Sequence, residues 1–127
     1  MKSDKCTMLK RLLETQRWEE ALAKVDALLV SNPLAAQLYL LRGQLIQLQR
    51  EDTKYSLDDV EKSFTMAVEL DATYFDALVE LMHFYDAVCP DMPKAVEYAR
   101  KVKVIAQKVL GEASTVLEEE VWTKSLQ

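Results

Sequence analysis

The chain has 127 residues and a formal net charge of −5, and half of its residues are hydrophobic. That length suits one domain with a modest core, and that apolar content excludes disorder. Two glycines and three prolines suit a nearly all-helical chain, and no apolar run reaches the ~18 residues a transmembrane helix needs.

The first helix is predicted over about Asp4 to Thr15, with Met8, Leu9, Leu12 and Leu13 on one side. The charged start Met1 to Lys5 lacks the apolar run of a secretory leader, so the expected location is cytoplasmic. A second helix runs from about Trp18 to Val30 and stops before Pro33, because proline disfavours helix at the preceding residue. A third runs from about Leu34 to Arg50. A polar stretch, 51–56, separates it from a fourth. Ser56 is predicted to cap that helix, with Asp59 three residues on and Tyr55 and Val60 spaced as a hydrophobic staple. The fifth is expected from a Thr73 cap to Val88. The sixth begins at Asp91, with Pro93 in its first turn, and is expected to stop at Gly111. A final helix is expected from Ser114 or Thr115, with Leu117, Val121, Trp122 and Leu126 as its apolar stripe.

Charge is unevenly spread. Residues 51–91 carry two basic and eleven acidic residues, whereas 1–50 and 92–127 are mildly basic. An acidic middle argues against nucleic acid, because phosphate contacts need clustered Lys and Arg. Arg100, Lys101, Lys103 and Lys108 read best as a solvated helix face. Cys6 and Cys89 stand alone, without metal-ligand spacing, and read as free thiols. The single histidine, His83, lies at i, i+3 and i+6 with Asp86 and Cys89, and i+6 swings off the face that i and i+3 share. No phosphate loop, zinc motif or nucleophile elbow is present. No enzymatic activity, metal or cofactor is therefore expected.

An apolar template recurs along the chain. Leu9 to Gly43 and Leu12 to Ile46 are 34 apart. Trp18 to Leu57, Ala21 to Val60, Val25 to Phe64 and Leu28 to Ala67 are 39 apart, with the five extra residues in the polar stretch 51–56. Gly43 to Met82 and Ile46 to Tyr85 are again 39. Val60 to Ala95, Phe64 to Ala99 and Ala67 to Val102 are 35, with one extra residue near Cys89 to Asp91. A helical pattern repeating at this period is the mark of stacked helix pairs.

On these residues the chain resembles the tetratricopeptide repeat (TPR) family. The resemblance is carried by Tyr39 to Ile46 with Gly43 inside it, by Trp18 to Leu22 through Asn32-Pro33, and by Ala67 to Ala72. The motif is degenerate: Lys5 and Leu78 stand where tryptophan is common, Leu9 and Met82 where glycine is usual, and Ala72 where proline is usual. The resemblance implies an all-α, right-handed superhelical stack of three helix-turn-helix repeats, about 2–35, 36–74 and 75–110 within 2–112. Residues 113–127 are then expected to form a C-terminal capping helix covering the apolar flank of the last repeat. The rival reading makes the Trp122 stripe a dimer surface. Gly43 is expected at a helix crossing, and Trp18, Tyr39, Phe64 and Tyr85 in the core.

The resemblance also implies a concave groove lined by the first helix of each repeat. The matching positions are Cys6 and Lys10 in the first repeat, Gln37, Leu40, Gln44 and Gln47 in the second, and Asp76, Val79, Glu80, His83 and Asp86 in the third. One subclass of the family clamps the C-terminal carboxylates of heat-shock chaperones. Here Asp76 and Glu80 would repel a carboxylate, so that activity does not carry over. The expected function is a small interaction adaptor or scaffold that binds a peptide or helical segment of another protein, one bearing basic residues. The alternative is a dedicated chaperone for a secreted or aggregation-prone client. A third reading is an enzyme or metal protein built on Glu80, His83 and Asp86. The expected oligomeric state is a monomer or weak homodimer, with neither membrane nor nucleic acid as partner.

Overall fold

A computed structural model describes residues 2–49 and 54–126, with side chains described from Thr7 onward. The described residues form six helices and no strand. They are α1 (Lys2–Glu14), α2 (Trp18–Ser31), α3 (Ala36–Leu48), α4 (Leu57–Leu70), α5 (Phe75–His83) and α6 (Met92–Ser125). Each helix packs chiefly on its neighbours in the chain: α1 on α2, α2 on α3, α3 on α4, α4 on α5 and α5 on α6.

The recurring template supplies much of the core. Leu9, Leu12, Ala21, Val25, Gly43, Ile46, Val60, Phe64, Ala67, Leu78, Leu81, Tyr85 and Ala95 are all buried. Trp18, Leu28 and Tyr39 pack on the same cluster while partly exposed. Gly43 faces the ring of Phe64. A Cβ there would stand 2.7 Å from Cδ1 and 2.9 Å from Cζ of Phe64, and closer still to Cε1. Phe64 is fully buried, so the ring has no free volume to retreat into. The crossing of α3 and α4 thus needs glycine, which offsets its unfavourable helix propensity.

The turns follow from local chemistry. Between α1 and α2, Gln16 takes a left-handed φ of 57°. The Arg17 N–H reaches the Leu12 carbonyl at 2.9 Å and the Gln16 N–H the Leu13 carbonyl at 3.2 Å, a Schellman-type ending. At the end of α2 the Asn32 side-chain amide also donates to the Leu28 carbonyl, at 3.0 Å. Ser56 caps α4 as expected. The Asp59 carboxylate accepts from the Ser56 N–H at 2.8 Å, and this hydrogen bond holds its pKa below the ordinary value. Asp91 caps α6, accepting from the Lys94 N–H at 3.2 Å, with Pro93 in the first turn.

Three boundaries differ from the expectation. The fifth helix is capped at Tyr74, not Thr73. The Asp71 carboxylate instead accepts from the N–H of Thr73 at 3.1 Å and from its hydroxyl at 3.2 Å, which holds Thr73 in the turn. After His83 the backbone widens into a π turn over Phe84–Val88. There the Cys89 N–H reaches back to the Phe84 carbonyl at 2.8 Å, and the Asp91 N–H to the Tyr85 carbonyl at 2.8 Å. Phe84 and Tyr85, which open this wide turn, are both buried.

The third difference is the largest. The helix does not stop at Gly111, and α6 continues to Ser125, 34 residues in all. Gly111 has no left-handed φ. Ser114 and Thr115, expected to begin a new helix, bond back to the carbonyls of Leu110 and Gly111 at 2.9 and 3.1 Å. The Ser114–Leu126 segment does not fold back as a cap, and every residue from Ala106 to Leu126 is exposed.

Candidate binding surface

The positions of the expected groove fall on α1, α3 and the α5 segment. Lys10 is exposed on α1, and the side chain of Cys6 lies outside the described residues. On α3, Gln37 and Gln47 are exposed and Gln44 is half-buried. On α5, Asp76 and His83 are exposed and Val79 and Glu80 half-buried, while Asp86 is exposed in the π turn. Residues three and four apart on a helix share a face, so Asp76, Val79, Glu80 and His83 form one strip. The structure ties this strip to α3 directly: Gln44 Nε2 donates to Glu80 Oε1 at 3.5 Å.

Leu40 is a correction. It was expected as an apolar contact in the groove, and it is buried in the core. The reason lies in α3 itself. Leu40 and Gly43 are three apart and share a face, and Gly43 faces Phe64. Ile46, three residues to the other side of Gly43, is buried as well. Val79 remains half-exposed and supplies apolar character on this surface.

The strip is acidic. Asp76, Glu80 and Asp86 make none of the ion pairs formed among the described residues. Asp76 also helps to raise the pKa of Tyr74, second to the burial of that phenol. The amides of Gln37, Gln44 and Gln47 can both donate and accept, so the α3 side matches a peptide backbone, while the α5 side matches cations.

A second polar cluster went unread in the sequence. Arg42 Nε donates to Asp26 Oδ1 at 2.8 Å, and its terminal amino group donates to the hydroxyl of buried Ser63 at 2.7 Å. The Ser63 hydroxyl donates in turn to the Asp59 carbonyl at 2.7 Å. The Tyr55 hydroxyl donates to Asp26 Oδ2 at 2.7 Å, and the Arg42 guanidinium lies 5.3 Å from the Tyr55 ring centre. Burial, then the hydrogen bond to Asp26, push the Tyr55 phenol up to about 12. This cluster joins α2, α3 and α4 and clips the end of the polar stretch onto them. Each of its side chains bonds to another member across helices, so it reads as a structural clasp. A similar role falls to Tyr85, which donates to Glu61 at 2.7 Å and stacks on Tyr98 with ring centres 5.8 Å apart.

Among the described residues no group of three His, Cys, Asp or Glu is placed to hold a metal ion, and no helix is long and apolar enough to cross a membrane. No family model matches the chain, and no curated protein and no solved structure matches it either.

Proposed function

We propose that the chain is a TPR-type protein–protein interaction adaptor, a right-handed stack of helix pairs that holds a peptide or short helix of another protein along α1, α3 and α5, without catalysis. One observation carries this reading. Gln44 and Glu80 meet at 3.5 Å, so the amide-rich strip of α3 and the acidic strip of α5 adjoin, and most of their polar side chains remain exposed. Two further observations support it: neighbour-on-neighbour packing is the habit of repeat arrays, and the recurring template forms the core. The favoured partner segment carries Lys or Arg opposite Asp76, Glu80 and Asp86 and a hydrogen-bonding backbone opposite the glutamines. Exposed ion pairs contribute roughly 0–1 kcal/mol each, so this charge sets specificity and on-rate more than affinity.

The test is a displayed peptide library selected on the purified protein. Selected peptides should be enriched in Lys and Arg at one end. Glu80→Lys should weaken their binding about tenfold or more, since an attraction becomes a repulsion. Glu97→Lys, on the exposed side of α6 where Glu97 pairs with Lys101 at 3.4 Å, should leave it within about twofold. Equal loss at both positions, or none at Glu80, would remove the α3–α5 face from consideration.

A further inference from the structure

Two apolar surfaces lie uncovered within reach of each other. The first is the outer flank of the α5–α6 pair. Phe75 and Met82, two turns apart, lie on the side of α5 away from Glu80, and so away from α3. Phe75 is 38 % exposed and Met82 is partly exposed. On α6, Ala99, Lys103, Ala106 and Leu110 form one row at 3.6 residues per turn. That row flanks the buried line through Ala95 on the side opposite Tyr98, whose ring stacks on Tyr85. The second surface is on the overhang, where α6 runs ~30 Å past its last partly buried residue, Ile105. Leu117 and Val121 form one row there, and Trp122 and Leu126 the next. All four are at least 60 % exposed.

Gly111 stands between the two surfaces. The continuous helix gives no reason for a glycine, since the space around it is open and its φ is not left-handed. Thr115 and Glu118 have the spacing of a capping box, yet here the Thr115 hydroxyl donates to the Gly111 carbonyl at 3.1 Å. We propose that α6 exchanges between this continuous helix and a state hinged at Gly111, in which residues 114–126 turn back and dock antiparallel to α6 on the α5–α6 flank. Opening breaks a few helical hydrogen bonds, and glycine accepts the left-handed turn without a steric penalty. The new helix start is capped by Thr115 and Glu118. Docking then removes four large apolar side chains from water. The segment is ~20 Å long as a helix, so it reaches back to about Ala99. Glu118 is the one carboxylate in the docking face. It lies at the first turn, where the cap uses it, and about one turn from Lys103, the one cation in the flank row. Lys103 can lay its aliphatic stem along the apolar surface and keep its charge in water. The docked segment sits on the side of α5 away from α3, so the outcome is independent of the peptide-binding reading.

Pulsed electron spin resonance between two labels tests this. The labels are placed by Arg100→Cys and Thr123→Cys, with Cys6→Ser and Cys89→Ser. These sites are ~35 Å apart along the continuous helix. In the docked state, with helices packed 8–10 Å apart, the label separation falls below ~25 Å. The labelled chain should show both distances. Gly111→Ala should lower the ratio of short to long about fivefold, because alanine favours the continuous helix by roughly that factor. Trp122→Glu should abolish the short distance. A single distance near 35 Å would overturn the assignment. So would a short distance that survives Trp122→Glu, or one that disappears on dilution with unlabelled chain and therefore comes from a second copy.

Discussion

The α3–α4 crossing and the far half of α6 are both regular helix, and they are held by opposite means. At the crossing, Phe64 sits fully buried against a glycine that has no room for a methyl group. Along the overhang every residue from Ala106 to Leu126 is exposed, and Gly111 has nothing within 4 Å of where a Cβ would stand. The same residue type therefore answers two different physical questions. In one place glycine is demanded by packing; in the other it is a local weakness in a helix whose order rests on backbone hydrogen bonding and propensity alone. Tertiary packing sets stability in the first region, and local opening sets it in the second.

The sharpest way to break this contrast is Gly43→Leu. Leucine is the better helix former by ~1 kcal/mol, yet the side chain must displace the Phe64 ring, so the variant should lose about 3 kcal/mol, at the upper end of overpacking effects. Chemical denaturation measures it. A variant as stable as the parent would mean that the α3–α4 crossing is looser than the geometry requires.

What was legible in the sequence follows the same divide. Template positions such as Ala21, Val25, Gly43 and Phe64 recur at fixed spacing because each meets the same packing demand, and their burial could be read ahead of the structure. The Ser56–Asp59 and Asp91–Pro93 helix starts were legible because capping is local chemistry. The Asp26–Arg42–Ser63–Tyr55 clasp was not. Its hydrogen-bonded pairs are sixteen to twenty-nine residues apart, and nothing local marks them as partners. Leu40 was misplaced because groove positions were carried over by register, while its actual direction is set by the Gly43 crossing. Gly111 was misread as a stop because glycine after an apolar run is a common helix end. The stop also needs a left-handed turn, and α6 has none.

The clasp lies between the two regimes, partly buried and partly wet, and pH probes it. The folded Tyr55 phenol titrates at about 12, against ~10 in the unfolded chain. A raised folded pKa means that the hydroxyl's contribution is fully present below pH ~10 and is lost as pH rises toward 12. The sign is that of a neutral donor serving the Asp26 carboxylate, which a phenolate cannot do. Tyr55→Phe should cost about 1–2 kcal/mol at neutral pH, a hydrogen bond to a charged acceptor discounted for exposure. The variant should also show a smaller loss of stability between pH 10 and 12 than the parent. Parallel alkaline curves for the two proteins would detach Tyr55 from that transition.

The smallest expected effect tests the overhang directly. Gly111→Ala fills open space, so it has no packing consequence and acts only through helix propensity, worth about 1 kcal/mol in an exposed helix interior. The benefit should stay local. Because the overhang buries almost nothing, it opens without unfolding the core, so amide exchange should slow roughly fivefold around residues 108–118 while the global melt hardly moves. The sign discriminates between the two readings of this residue. At a left-handed helix end alanine is penalised relative to glycine, and the substitution would then speed exchange on both sides of position 111. Slower exchange confined to the overhang fits one continuous helix with a weak link at Gly111; faster exchange there would restore the break between two helices that the sequence by itself suggests.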